Sequence, residues 1–328
     1  MSESRSEGRL EAVHRIEFAV DWHPGHVAAY LVDCAEPVLV DAGMTGDGAT
    51  EELEAGLAEA GYDPGDVEHL VVTHPHTDHV GQVPTVLAAG DPTVYAPASV
   101  EERFGRDTDE LAETVRENAR AAGVQGGYLD EAVEMSVESL ERDRGLLPPE
   151  SVDEWIDRGE SVQVGEYTFE SVHAPGHQAD HLCYRTDIAG DSVLFSGDMA
   201  LESFRSVALH DGFGDGYVEA IDAFYDGLDR LAEVDADRVY TGHDPAHGDL
   251  QAAVADDRDS LDRLLDRTRD ELAADEGKTA VEIAFGRSGD RDVRYLVIET
   301  ASALATLHRE GELEATTDEH GVRRYTLA

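Results

Sequence analysis

Residues 69–82 read HLVVTHPHTDHVGQ, an apolar run followed at once by His74, His76, Asp78 and His79. The apolar, β-branched run predicts a buried strand. Neither packing nor a turn asks for three imidazoles and a carboxylate crowded together at the end of such a strand. Coordination of a metal ion does.

Further histidines and aspartates fall in the same place, each at the end of a predicted strand: Asp41 in LVDAG, His177 in HAPGH, Asp198 in LFSGD and His243 in YTGHD. Loops at strand ends are where a rigid sheet gathers side chains from distant parts of a chain. The ligands suffice for two ions. His74 and His76 can turn one way and join His177; Asp78 and His79 can turn the other way and join His243; Asp198 can bridge. Imidazole and carboxylate without thiolate suit two Zn2+ ions, with manganese or iron also admitted. Two ions about 3.5–4 Å apart can hold a hydroxide between them and polarise a carbonyl or phosphoryl group.

The rest of the chain supplies a scaffold of the right kind. HVAAYLV, PVLVDAG, HLVVTH, PTVYAP, YTFESVHAPG, HLCYRT, SVLFSGD and DRVYTGHD read as strands, and GATEELEAGLAEAGY and GQVPTVLAAG as helices. This is an α/β (α+β) pattern, with sheets covered by helices. Residues 99–157 lack strand signals and read as a helical insert. Beyond about residue 250 come a long charged helix, two more helices and two short strands joined at DEHG. The expected division is a catalytic domain over 1–250 and a winged-helix-like appendage over 251–328.

At LVDAG, THPHTDHVG, HAPGH, FSGD and TGHD the chain resembles the metallo-β-lactamase superfamily of metallohydrolases. The resemblance implies an αββα sandwich with a binuclear site at one edge. It also implies metal roles for His74, His76, Asp78, His79, His177, Asp198 and His243, with Asp78, Asp198 and His243 serving the chemistry. Asp41 would hydrogen-bond a ligand histidine and fix its orientation. The thiolate-ligand β-lactamases carry cysteine where this chain has Asp198. HAPGHQADH and the bridging aspartate are more similar to the hydroxyacylglutathione hydrolase (glyoxalase II) group, and the C-terminal appendage to the β-lactamase-like endoribonucleases.

These likenesses leave three functional classes. The first is a hydrolase of small esters or thioesters, in which the bridging hydroxide attacks the carbonyl. The second is a phosphodiesterase or ribonuclease with the same site, using Arg291, Arg294, Arg323 and Arg324 as phosphate contacts. The third is a metal-dependent binding protein without turnover. His26, His173 and His181 are weaker candidates for substrate contact, as are His23 and His247. Tyr128, Leu129 and Met135 of the insert are candidates for a lid.

Charge bears on the second class. The chain carries 72 Asp and Glu against 25 Lys and Arg, a formal net charge of −47, and Lys278 is the only lysine. With 41% hydrophobic residues and clear periodicities it is no acidic disordered tract. Its composition resembles that of proteins from salt-accumulating halophilic archaea, and so acidic a surface disfavours nucleic acid. Cys34 and Cys183 are too few for a disulfide framework and read as buried thiols, as in a cytoplasm. The N-terminus, MSESRSEGRLEAVHRIEF, has no apolar h-region, and no membrane span is expected. A homodimer is admitted.

Overall fold

A computed structural model of the protein describes residues 12–273, 277–288 and 293–328. Arg291 and most of the N-terminal stretch just quoted lie outside them. Two sheets pack face to face with helices on both outer faces. The first sheet has the order β1-β2-β3-β4-β5-β6, with β1 Val13–Ala19, β2 His26–Val32, β3 Val38–Val40, β4 His69–Val71, β5 Thr93–Pro97 and β6 Glu154–Ile156. Its first two pairings are antiparallel, and the three from β3 to β6 are parallel.

The second sheet has the order β12-β10-β9-β8-β7, with β7 Ser161–Val164, β8 Tyr167–His173, β9 Leu182–Ile188, β10 Asp191–Gly197 and β12 Arg238–Thr241. β10 and β12 run parallel. A short strand, β11 (His210–Phe213), lies between β10 and β12 in the chain.

Alternation of side chains along each strand builds this sandwich. In β2, Val27, Ala29 and Leu31 enter the apolar cluster beneath the outer helices of the first sheet. Ala28, Tyr30 and Val32 enter the cluster between the sheets. β10 does the same, with Val193 and Phe195 between the sheets and Leu194 on the far face. Successive residues of a strand point to opposite faces, and here both faces are covered.

The helices over the first sheet include α1 (Asp47–Ala60), the short α2 (Thr77–Val80) and α3 (Val83–Ala89). α1 ends at Gly61, whose φ of 89° gives the left-handed cap that a side chain would strain. The expected insert forms three helices, α4 (Ala98–Phe104), α5 (Thr108–Ala121) and α6 (Gly127–Leu146), and the Asp107 carboxylate caps α5 by accepting from the amides of Asp109 and Glu110. One correction follows, because the segment is not free of strand: β6 extends the first sheet beside β5. Thr77 on α2 donates to buried Asp143 on α6 at 3.0 Å, which ties the insert to the histidine-rich turn.

Over the second sheet lie α7 (Ala220–Leu231), α8 (Leu250–Asp270), α9 (Ala280–Ser288) and α10 (Val293–Arg309). The chain closes with the hairpin of β13 (Leu313–Thr317) and β14 (Arg323–Leu327), so three helices and a hairpin follow residue 250 in the expected order. α10 is buried all round from Val297 to Leu307, and the small Ala, Ser and Thr residues of that stretch let its neighbours approach closely. Ser302 accepts from the Ile221 amide at the start of α7, and Thr306 donates to Asp222. One apolar cluster joins Ala174, Leu194 and Phe224 to Leu261, Leu304 and Tyr325, so the interior runs across the expected boundary near 250. Cys183 is buried as expected, Cys34 is only half-buried, and both are free thiols. Among the described residues no helix is long and apolar enough to cross a membrane.

Candidate metal centre

The parallel β3 and β4, and the co-directional β8, β10 and β12, end at one edge of the sandwich. Asp41 follows β3, the histidine-rich turn follows β4, His177 follows β8, Asp198 follows β10 and His243 follows β12. Two groups of side chains meet there, one of His74, His76, His177 and Asp198, the other of Asp78, His79 and His243. In each group the ligand atoms lie within 4.8 Å of one another.

Asp198 touches both groups. Its Oδ1 lies 3.1 Å from His79 Nε2, and its Oδ2 lies 3.2 Å from His177 Nε2 and 3.3 Å from His243 Nε2. His243 Nε2 is in turn 3.5 Å from Asp78 Oδ2. The loop glycine of TGHD is needed for this approach, because a β-carbon at Gly242 would collide with Asp198 Oδ1 and His79 Cε1.

The outer nitrogens settle which atoms face inward. His79 Nδ1 donates to Asp41 Oδ2 at 2.8 Å, His177 Nδ1 to the Val207 carbonyl at 2.9 Å, and His243 Nδ1 to the His26 carbonyl at 2.8 Å. The Thr73 hydroxyl donates to Asp41 Oδ2 and so accepts from His74 Nδ1, at 3.0 Å. Each of these four imidazoles therefore keeps a proton on its outer nitrogen and turns Nε2 inward. His76 offers Nδ1 instead, 3.1 Å from His74 Nε2 and 3.0 Å from His177 Nε2. A cation between these inner nitrogens would take up the lone pairs that face one another there. His79 Nε2 and Asp198 Oδ1, though close, are out of line for a hydrogen bond, and each is buried without a partner. The donor set thus fits divalent metal ions.

Asp41 works through this outer layer. It accepts from the Thr73 amide and hydroxyl, both at 2.8 Å, and from His79, and its φ of 59° lies in the left-handed region that non-glycine residues avoid.

Burial above all, with repulsion from neighbouring histidines, pushes His74, His76 and His181 well below the ordinary imidazole range, so they are neutral. Burial also opposes the charging of His79 and His243, but Asp198, joined by Asp41 at His79 and by Asp78 at His243, outweighs it. His79 is held well above the usual range and His243 is pushed up to about 9. For Asp198 burial raises the pKa, yet His243 and His79 overcome it and hold the carboxyl well below the usual range.

Without a bound cation, then, His79 and His243 carry protons at neutral pH, and metal uptake has to expel them. Zn2+ affinity is expected to rise with pH through the neutral range, by up to about a hundredfold per unit while two protons are displaced. Calorimetric titration in buffers of different ionisation enthalpy measures those protons; an affinity independent of pH would contradict the assignment.

The weaker candidates lie elsewhere. His173 donates Nε2–H to the Ala179 carbonyl, and burial brings it down to about 4. His181 accepts from the Asp198 amide with Nε2, its ring packed 4.7 Å from that of His74. His26 contributes its carbonyl to His243. The side chains of these three do not line the cleft above the metal centre. His247 is bound to the Ala200 carbonyl and the Asp249 amide, whereas His23 does line the cleft, packed edge-on to Phe204.

Sequence reasoning passed over Thr73, although it stands next to His74, and the arginines of the cleft wall. Arg103 pairs with Asp180 at 3.4 Å and with Asp211 at 3.2 Å, and Arg106 also binds Asp211. Arg205 pairs with Glu299 of α10 at 2.7 Å, both side chains being buried. Of the proposed phosphate contacts, Arg324 is paired with Glu282, and Arg294 lies 3.9 Å from Glu131.

Comparison with known proteins adds four findings. The family model described as the metallo-beta-lactamase superfamily matches residues 22–243. The chain is 25% identical over 258 residues to the lactamase-like protein adaB of Aspergillus niger, a match covering 78% of this chain and only 61% of that relative's length. It is 26% identical over 236 residues to a hydroxyacylglutathione hydrolase of Rhizobium etli, covering 71% of this chain and 70% of that one. Among solved structures, a metallo-beta-lactamase family protein of Thermus thermophilus superposes with a TM-score of 0.80 at 24% identity, over 97% of this chain and 99% of that one.

Proposed function

This chain belongs to the metallo-beta-lactamase superfamily, and from that premise we propose a binuclear, metal-dependent hydrolase of carbon esters and thioesters. The observation that carries the reading is the pair of ligand groups joined through Asp198, with the outer nitrogens of four imidazoles already tied to the scaffold. Two Zn2+ ions held there would supply a hydroxide nucleophile at neutral pH and a Lewis acid for the carbonyl. His74, His76 and His177 hold one position, and Asp78, His79 and His243 the other. Asp198 keeps the two in register, and Asp41 and Thr73 keep His79 and His74 from rotating. A thiolate or carboxylate leaving group suits such a centre, because it departs with little proton assistance. The relative named hydroxyacylglutathione hydrolase supports a thioester.

The test compares a p-nitrophenyl ester, a simple thioester and bis-p-nitrophenyl phosphate, each with and without chelator. Chelator-sensitive turnover of the ester and thioester is expected. Turnover of the phosphodiester alone would replace this reading with the nuclease one. Inactivity on all three in protein shown to hold metal would favour a binding role.

A further inference from the structure

We propose that the wall facing the metal centre is an acyl-chain site, so that the natural substrate is a long-chain acyl ester or thioester. This rests on the hydrolase reading and narrows it. Among the described residues four large hydrophobic side chains are exposed: Trp22 at 47%, Tyr128 at 71%, Phe285 at 55% and Tyr295 at 44%. All four line the same cleft, the one floored by His76, Asp78, His177, Asp198 and His243. Scattered apolar residues on a surface mean little, but gathered around one cavity they mark a binding surface.

The cleft is about 1930 Å3, well beyond the roughly 300–1,000 Å3 that suits a compact small ligand. Its far wall comes from the insert and the C-terminal helices, and between the rings it is aliphatic: Leu111, Val124 and Met135 on one side, Val281 and Leu296 on the other. Aliphatic lining with a flexible methionine suits a methylene chain rather than a stack of bases. Charge agrees. Of the seven arginines that line the cleft, all but Arg263 stand against a carboxylate, and a chain of net charge −47 repels a polyanion but not a hydrocarbon. A carbonyl seated over the metal ligands would thus direct its chain along the apolar wall.

The experiment uses N-acetylcysteamine thioesters from acetyl to dodecanoyl, each below its critical micelle concentration, with the metal-loaded full chain. kcat/KM is expected to climb by up to about fourfold per buried methylene before levelling off. The double variant Tyr128→Asp, Tyr295→Asp changes only exposed positions. It is expected to lower dodecanoyl kcat/KM by at least about tenfold, chiefly through KM, and to flatten the series without a shift in melting temperature.

Calorimetric binding of the matching non-hydrolysable alkyl thioethers runs alongside. Affinity should rise with chain length in the parent and not in the variant. Hydrolysis with a flat or falling chain-length series overturns the acyl site and leaves the hydrolase standing. Absence of hydrolysis with chain-dependent thioether binding does the reverse. Thioether affinity independent of length overturns the acyl site whatever the kinetics.

Discussion

Asp198→Ala is expected to abolish turnover at every substrate concentration and to lower the metal content of both positions together. The reason is geometric: this one carboxylate contacts His79, His177 and His243, which belong to both ligand groups. Its loss removes the group that positions the nucleophile rather than substrate affinity, so kcat falls and extra substrate cannot restore it.

Asp41→Ala should be milder, about 10–100-fold in metal affinity or activity, because Asp41 acts on the centre only through His79 and Thr73. His247→Ala, next to the same loop but bound to backbone, should leave metal stoichiometry intact. Elemental analysis of the purified variants separates the three. Two equivalents of metal and normal turnover in Asp198→Ala would sink the binuclear assignment.

The second large effect concerns salt. With a net charge of −47 the folded chain is strongly self-repelling, and at low ionic strength that repulsion reaches across the molecule. The screening length falls from about 30 Å at 0.01 M to about 3 Å at 1 M, so molar KCl reduces the interaction to near neighbours. We expect secondary structure to be lost below a few tenths molar salt, at roughly the point where the Debye length spans several surface carboxylates, and to return toward molar KCl. A circular-dichroism titration that stays unchanged into the millimolar range would remove the halophilic reading of the composition.

Much of the metal centre could be read from the sequence because its ligands are written as short local signals: four of them within one turn, the others as GH, GD and GHD directly after apolar runs. The sandwich was legible for the same reason, since strands buried on both faces are nearly continuous apolar runs. The strands that escaped notice lack that signature. β1, VHRIEFA, carries three charges or imidazoles, β6 has only three residues after a long helical segment, and β11, HDGF, is mostly polar. β7 was recoverable, for SVQV alternates and meets β8 across Gly165, which takes the positive φ that a two-residue hairpin favours. The cleft wall was beyond reach. Arg103 meets Asp211 and Arg205 meets Glu299 only after the sheets, insert and C-terminal helices have packed, and nothing local to any of the four residues announces its partner.

The division of labour along α10 bears on how such a protein can change over generations. Tyr295 and Leu296 in its first turn face the cleft, whereas Ala301, Ala303, Leu304 and Leu307 hold the interior together, with Val297, Ile298 and Glu299 shared between the two. Substitutions in the first turn, at Tyr295 and Leu296, can therefore reshape what the cleft accepts at little cost to folding, while the helix from Val297 onward resists change. Lineages descended from this chain would diverge in substrate preference first at the cleft-facing turn of α10 and at the opposing face of α6, with the metal-bearing edge and the buried remainder of α10 inherited nearly intact.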